Sequence, residues 1–399
     1  MNPSLRSRFV ERLGAEATRQ NWRALVAEHG TPLLILDPAK VTRQCELFAR
    51  HLPGVQIRYA VKAAPHPAVL DAVAAAGGGF DVATSAEVDL VESLGLGMDR
   101  CLHTHPIKKI ADIEHAYRAG VRTFVVDNPV EAQKFAGMPA DIGILVRLAF
   151  RNPAAKSDLS SKFGVEPADA ELLVKHVLAA GARFEGFSFH VGSQGAEAHA
   201  HGAALRTTME LAAHLRGSLG IDVPTIDIGG GFPVTYREPM PGIDVIGANV
   251  GAALGGTHPV RMLAEPGRFL AADAMTLLTT VVGSTIRDGR VWHYLDDGLY
   301  GAYSNILTED VHPPIVALSE LAGGRSAALE PVTLAGPTCD SVDVIARDYP
   351  MPELSIGDIV ASPVMGAYTT VTSSRFNGIP ETPIVCVAPS RSAAAARAA

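Results

Sequence analysis

The sequence predicts an α/β chain: a (β/α)8 TIM-like barrel followed by a β-rich domain. Two observations carry this. From about residue 57, short apolar runs alternate with helix-patterned stretches, eight times over. After Phe269 that rhythm stops, and strands joined by turns take over.

The barrel strands are expected at Ile57–Lys62, Gly79–Val82, Cys101–His103, Arg122–Val126, Ile142–Arg147, Phe184–His190, Thr225–Ile228 and Arg261–Glu265. Between them lie Ala- and Leu-rich segments such as "PAVLDAVAAAG" and "KKIADIEHAYRAG", most ending at the Gly expected of a helix C-cap. Eight such units in about 210 residues is the arithmetic of a closed barrel. A doubly wound open sheet is the rival. It typically has fewer strands and a Gly-rich turn after its first strand, where this chain has proline and histidine. Beyond Phe269, "AMTLLTTVVGSTIRDGRVWHYLDDG" carries a hairpin signal at Arg287-Asp288-Gly289, and "EPVTLAG", "GDIVASPV" and "TPIVCVAP" continue the β character. The early run Thr31–Asp37 reads as a strand joining that second domain. The expected division is a barrel over 38–270, a β-rich domain from 1–37 and 271–388, and a frayed Ala/Arg/Ser tail over 389–399.

Composition narrows the class. The 399 residues are 47% hydrophobic and 19% charged, with a net charge of −8 and no basic run. That speaks against nucleic-acid binding. No stretch reaches the roughly 18 apolar residues that cross a bilayer. The N-terminal "MNPSLRSRFVERLG" lacks the apolar region of a signal peptide. Cys45, Cys101, Cys339 and Cys386 are scattered, neither a disulfide framework nor a metal signature. A cytoplasmic protein without a metal site is expected.

In a parallel barrel, function sits at the C-terminal ends of the strands. Here those ends carry Lys62, Asp81, His103, Asp127, Arg147, His190, Asp227 and Glu265. A lysine in a barrel mouth is paired, desolvated or used covalently; lysine amines form Schiff bases with carbonyl compounds. "DIGGGFP" places Gly229, Gly230 and Gly231 after a strand, where bare amides can cradle a phosphate. "AEPGRFL" sets Arg268 three residues beyond Glu265, either a structural ion pair or a phosphate ligand beside an acid. "FHVGSQ" offers His190 and Ser193; His103 and His105 read as ordinary core or surface histidines.

The motifs "YAVKA", "FDVATSAE", "SKFGV", "FHVGSQ", "IDIGGGFP", "EPGR", "GPTCDSVD", "MGAYT" and "FNG" run in order from residue 59 to 378. In this the sequence resembles the ornithine/diaminopimelate/arginine decarboxylase family, pyridoxal-phosphate enzymes on the alanine-racemase barrel. The resemblance implies that Lys62 holds pyridoxal 5'-phosphate. It implies that Gly229, Gly230, Gly231, Ser193, Arg268 and Tyr368 take the phosphate and that Glu265 faces the pyridine nitrogen. His190 would stack on the ring, with Asp81 and Glu87 organising the surroundings of Lys62. Cys339 would guide proton return to the substrate α-carbon, and Tyr368 would also face substrate. The active unit would be a homodimer with sites at the interface, Lys162 and Asp343 pairing across it.

"GPTCD" matches the ornithine-type branch, with Asp340 a partner for a distal ammonium. The segment "DDGLYGAYSNILTEDVHP" lacks the arginine that binds a distal carboxylate in diaminopimelate enzymes and offers Glu309 and Asp310 instead. Where ornithine enzymes commonly carry Tyr-Asp, this chain has Thr308-Glu309. A glutamate reaches one methylene further, which shortens the pocket or moves the distal amine. The implied reaction is decarboxylation of a small cationic amino acid, first L-ornithine to putrescine, in polyamine biosynthesis. Lysine, arginine, 2,4-diaminobutyrate or a specialised biosynthetic intermediate are the alternatives. An alanine-racemase-like isomerase would place arginine at the pyridine nitrogen, and Glu265 opposes it. The remote alternative is an inactive homologue that binds a regulatory protein.

Overall fold

The computed structural model describes residues 3–256, 260–322 and 328–387. The tail expected over 389–399 lies outside the described residues. The chain forms two compact units. One comprises Thr42–Val234 and Met240–Leu270; the other comprises the described residues of Met1–Val41, Thr235–Pro239 and Ala271–Ala399.

Strand β1 (Leu33–Leu36) belongs to the second unit. The first unit is a closed parallel barrel of β2 (Val55–Ala60), β3 (Gly79–Val82), β4 (Cys101–His103), β5 (Thr123–Val126), β6 (Gly143–Leu148), β7 (Arg183–Phe189), β8 (Thr225–Asp227) and β9 (Arg261–Ala264). The barrel closes where Ile57 of β2 faces Ala264 of β9. Its strands are short apolar runs buried on both faces, such as "TFVV" and "GILVRL", which is what helices outside and packed side chains inside demand. All eight expected strands are present, with ends displaced by up to two residues. One displacement matters. β2 stops at Ala60, and Lys62 rides on the single 3-10 turn Val61–Ala63 rather than ending the strand. The pairing with β3 runs out at Ala60 opposite Asp81, so the chain is released there. Pro67 opens the next helix, and the His66 Nδ1 accepts from Ala68 N–H at 3.2 Å as its cap. Hence the proline and histidine that follow the lysine.

The second unit is a mixed sheet. Its strands are β1, β10 (Met275–Arg287), β11 (Arg290–Leu295), β12 (Val316–Ala317), β13 (Glu330–Ala335), β14 (Val344–Met351), β15 (Ile359–Pro363) and β16 (Ile384–Cys386). The order is β12-β15-β10-β11-β13-β14, with β1 antiparallel to β10 and parallel to β16. The β10–β11 hairpin turns at Asp288 (φ 50°) and Gly289 (φ 72°), the left-handed pair that a tight two-residue hairpin requires. Residues 1–37 also hold two helices absent from the sequence reading, Pro3–Gln20 and Trp22–His29. Leu5, Phe9 and Leu13 recur every four residues on the buried face of the first. Leu13 and Trp22 join Leu33, Ile35, Leu278 and Val316 in one apolar core.

Candidate active site

The barrel mouth assembles around Lys62. Its Nζ donates to Asp81 Oδ2 at 3.0 Å; the lysine side chain is 45% exposed and the carboxylate 0%. Asp81 sits within β3, buried by the barrel wall, and its other oxygen accepts a short hydrogen bond from Thr104 O–H. Thr104 follows β4 directly, and its own N–H is held by Val82 O at 3.1 Å. Three neighbouring strand ends thus fix one ion pair. Glu87, within electrostatic reach of Asp81 and Lys62, also caps the next helix. Thr84 Oγ1 accepts from Glu87 N–H at 3.3 Å, and Glu87 Oε2 accepts from Ala83 N–H at 2.6 Å, a capping arrangement for the helix Ser85–Ser93.

The three glycines after β8 form a turn that only glycine can occupy. A Cβ on Gly229 would lie 2.0 Å from Phe189 O, on Gly230 2.8 Å from Glu265 O, and on Gly231 2.3 Å from Gly192 O. Gly229 and Gly231 have φ of 66° and 93°. Asp227 Oδ1 accepts from Gly229 N–H at 2.9 Å, and Gly229 O accepts from Glu265 N–H at 2.8 Å. Among the described residues, the N–H groups of Gly230 and Gly231 have no partner. Beside the turn runs the loop after β7. Ser193 pairs its backbone with Ser157, and Gln194 clamps Val234 from both sides, donating to its O at 2.9 Å and accepting from its N–H at 2.7 Å. His190 Nδ1 accepts from Gly192 N–H at 3.0 Å, leaving Nε2 against Gly230.

Charge in this mouth is dense and dry. Burial, with Asp227 and Asp81 nearby, holds the Glu265 carboxyl well above the usual carboxylate range despite Lys62 and Arg147. Burial raises Asp227 to about 6. Burial, then the positive Arg147 and Lys62, pushes His190 well down, so its imidazole is neutral. His103 falls to about 4 by burial, stacks at 5.8 Å on Phe124, and has no hydrogen-bond partner for either ring nitrogen among the described residues. Arg147, partly buried, feels the charges of Glu265, Asp127, Asp81 and Asp227, and its Nη2 has no partner among the described residues. Arg268, just past Glu265, is also buried.

The barrel unit therefore brings together Lys62, Asp81, His190, Ser193, Gly229, Gly230, Gly231, Glu265 and Arg268. Of the remaining sequence candidates, Lys162 lies in the barrel unit, its Nζ 4.9 Å from the Phe163 ring centroid, and the others lie on the sheet unit. Cys339 is exposed; its N–H and Sγ both reach Asn377 Oδ1, at 3.1 and 3.2 Å. Asp340 accepts from the Tyr300 hydroxyl and from Val342 N–H, and these donors hold its carboxyl below the usual range. Tyr300 stacks on Phe376 at 4.6 Å. Asp343 is 2% exposed and spends its oxygens within its own unit, on Leu299 N–H (2.7 Å) and on Thr338 N–H and O–H. Glu309 ends the helix Asn305–Glu309; Asp310 follows at φ 51° and lies 2.8 Å from His312. Tyr368 also has a positive φ, 57°. Sequence reasoning missed Thr104 and His201, which stand in no motif, and gave no task to Gln194, the last residue of "FHVGSQ". Arg147 was visible at a strand end but given no task. Among the described residues no cluster of three or more His, Cys, Asp or Glu could hold a metal ion, and no helix is long and apolar enough to cross a membrane.

A barrel mouth with an acid-paired lysine beside a bare glycine turn is the equipment of an enzyme that can hold a phosphorylated carbonyl cofactor. The profile of the pyridoxal-dependent decarboxylases, pyridoxal binding domain, matches residues 38–272, and the chain belongs to that family. Lysine/ornithine decarboxylase of Selenomonas ruminantium is 35% identical over 353 residues, 87% of each chain. The structure of the Vibrio vulnificus lysine/ornithine decarboxylase complexed with cadaverine superposes with a TM-score of 0.85 at 38% identity, over 92% of this chain and 97% of that one. The Paramecium bursaria Chlorella virus arginine decarboxylase bound to agmatine gives 0.85 at 28% identity, over 92% and 99%. This protein is thus a pyridoxal-phosphate-dependent amino-acid decarboxylase. Its residues fit the cofactor: a half-exposed lysine amine, a turn no Cβ could enter, and two unpartnered amides.

Proposed function

We propose that this enzyme decarboxylates a basic L-amino acid, with L-ornithine the first candidate, giving putrescine and CO2. The cofactor, when bound, supplies the electron sink for the bond broken at the α-carbon. Lys62 Nζ holds it covalently, and Asp81 keeps that nitrogen aimed and supplies the countercharge when it is protonated. The N–H groups of Gly230 and Gly231, Ser193, Arg268 and Tyr368 take the phosphate. Glu265, whose dry surroundings favour its protonated form, shares a proton with the ring nitrogen. His190, a neutral imidazole, would be the residue to pack against the cofactor's ring. Cys339 Sγ delivers or steers a proton to the α-carbon of the product. Glu309 and Asp340 hold the far ammonium by charge-assisted hydrogen bonds. We further propose a homodimer, in a reducing cytoplasm that suits four free cysteines.

The observation that supports the substrate class is the composition of one segment. Residues 296–313 contain Asp296, Asp297, Glu309 and Asp310 but no lysine or arginine. Asp340, held in its ionised form by its donors, adds to this. A second carboxylate on the substrate would find no lysine or arginine within this segment to pair with. The relatives named for lysine, ornithine and arginine act on substrates of this cationic kind.

The test is turnover of ornithine, lysine, arginine, 2,4-diaminobutyrate and meso-diaminopimelate, each with added pyridoxal phosphate, reading CO2 and amine. Highest kcat/KM on ornithine is expected, and Lys62→Ala abolishes it. Preference for another cationic substrate would transfer specificity to Thr308-Glu309. Turnover of diaminopimelate alone would overturn the distal-cation argument.

A further inference from the structure

His201 opens the long helix Ala200–Leu219, in the stretch "AEAHAHGAAL". It is not a surface histidine: it is 3% exposed. Its ring lies flat on Phe232, centroids 4.5 Å apart and 18° from parallel. Phe232 is wedged in turn against Phe48 at 5.0 Å. His201 Nε2 is 2.9 Å from Gly230 O. A carbonyl can only accept, so this nitrogen carries the proton and donates. Burial lowers the pKa of His201 to about 4, so at neutral pH the ring is an uncharged donor with a fixed tautomer.

The peptide plane gives this contact its consequence. In a trans peptide the C=O of one residue and the N–H of the next point in opposite directions. Fixing Gly230 O on His201 therefore aims Gly231 N–H away from the helix. In the same way, Glu265 N–H holds Gly229 O at 2.8 Å and so aims Gly230 N–H. These are the two amides of the turn that have no partner among the described residues. Three successive glycines have no side chains to stop such planes from rotating. One plane is locked by the backbone of the neighbouring strand; the other is locked by a side chain, His201.

We propose that His201 is a positioning residue for the cofactor's phosphate, acting through the Gly230 carbonyl to preset the Gly231 amide. The inference rests on the reading of the glycine turn as the phosphate cradle. His201 touches neither cofactor nor substrate. The seat is built from three separate segments: the helix that begins at residue 200, the turn after β8, and the apolar wedge of Phe48 and Phe232.

Two variants separate its two contacts. His201→Phe keeps a flat ring on Phe232 and deletes the donor. His201→Gln places an amide N–H near the position of Nε2 and gives up the stacking. Equilibrium dissociation of pyridoxal phosphate, and of pyridoxal lacking the phosphate, is read from the visible absorption band of the Lys62-bound compound, with Lys62→Ala as the blank. Loss of one neutral hydrogen bond predicts pyridoxal phosphate binding about five- to tenfold weaker in His201→Phe. Pyridoxal binding stays at the wild-type level, and His201→Gln recovers most of the loss. An unchanged ratio of the two affinities in His201→Phe overturns the proposal, whether both are retained or both fall together. Should His201→Phe fail to fold, His201→Asn, whose amide stops short of Gly230, carries the same comparison. Wild-type protein without a Lys62-dependent band would instead sink the cofactor reading itself.

Discussion

Lys62 is governed by residues that do not touch substrate. Its partner Asp81 is fully buried and is held on its other side by the Thr104 hydroxyl. Thr104→Val preserves shape but removes that donor, leaving a buried charged acceptor short of a partner. A stability loss of about 1–3 kcal/mol is expected, read as a lower urea midpoint, with kcat/KM falling as Asp81 loosens. An unchanged midpoint and kcat/KM together would remove Thr104 from the chain of support. The sequence made Lys62 legible because it follows directly on an apolar run, and Asp81 because it is the one acid within another. Thr104 was not legible: a threonine after a three-residue strand resembles any other turn residue. His201 was hidden for a related reason. In a polar, histidine-rich stretch nothing marks one ring as buried, since its burial comes from Phe48 and Phe232, distant in sequence.

At the scale of elements, the turn after β8 is the least tolerant piece of the barrel. Gly231→Ala would put a methyl 2.3 Å from Gly192 O at φ 93°, against backbone that cannot yield. At least a tenfold weakening of pyridoxal phosphate binding is expected, on the order of 1.4 kcal/mol or more. Gly251→Ala is the matched control. It lies in the helix Ile243–Leu254 with nothing within 4 Å of its Cβ, and it should be neutral or stabilising by about 0.5–1 kcal/mol. Equal effects of the two changes on cofactor binding would deny the turn its special status. The barrel strands were readable because continuous apolar runs broken by helical periodicity admit few other folds. Their ends were read less well, because ladder pairing decides where a strand stops, as at Ala60 opposite Asp81. The two N-terminal helices went unread because "MNPSLRSRFVERLG" shows its four-residue apolar recurrence only among abundant charges.

The whole molecule carries buried acids outside the barrel too. Asp297, in the sheet unit, is 4% exposed and accepts from Gly298 N–H (2.8 Å), Ala302 N–H (3.0 Å) and Thr382 O–H (2.6 Å). Burial outweighs these donors and lifts its pKa to about 6. The folded protein therefore keeps this proton at a pH where the unfolded chain, with an ordinary Asp pKa of about 3.9, has lost it. Folding stability contributed by this group is greatest below about pH 4 and falls as pH rises to about 6. Asp297→Asn, which keeps an oxygen for Gly298 and Ala302, should flatten that part of the profile. From pH 4 to pH 7.5 the stability of the variant relative to the wild type should rise by on the order of 2–3 kcal/mol, because the wild type loses that amount and the variant does not. Parallel urea midpoints for wild type and variant from pH 4 to 7.5 would exclude Asp297 as the source.

The 13-residue β10 sets a timetable for synthesis. Its first half pairs with β1 and β15, its second with β11, and β1 also lies beside β16, so Leu34 meets both Leu277 and Ile384. β1 leaves the ribosome about 240 residues before β10, a wait of roughly 10–50 s at ordinary elongation rates. Through that interval the barrel strands can close among themselves, while Leu33–Leu36 and the apolar side of the first helix have nothing permanent to lie against. The opening segment of this chain is thus made first and secured last. A nascent chain stalled before Met275 would present an apolar strand in search of a partner, the natural target of a chaperone during translation.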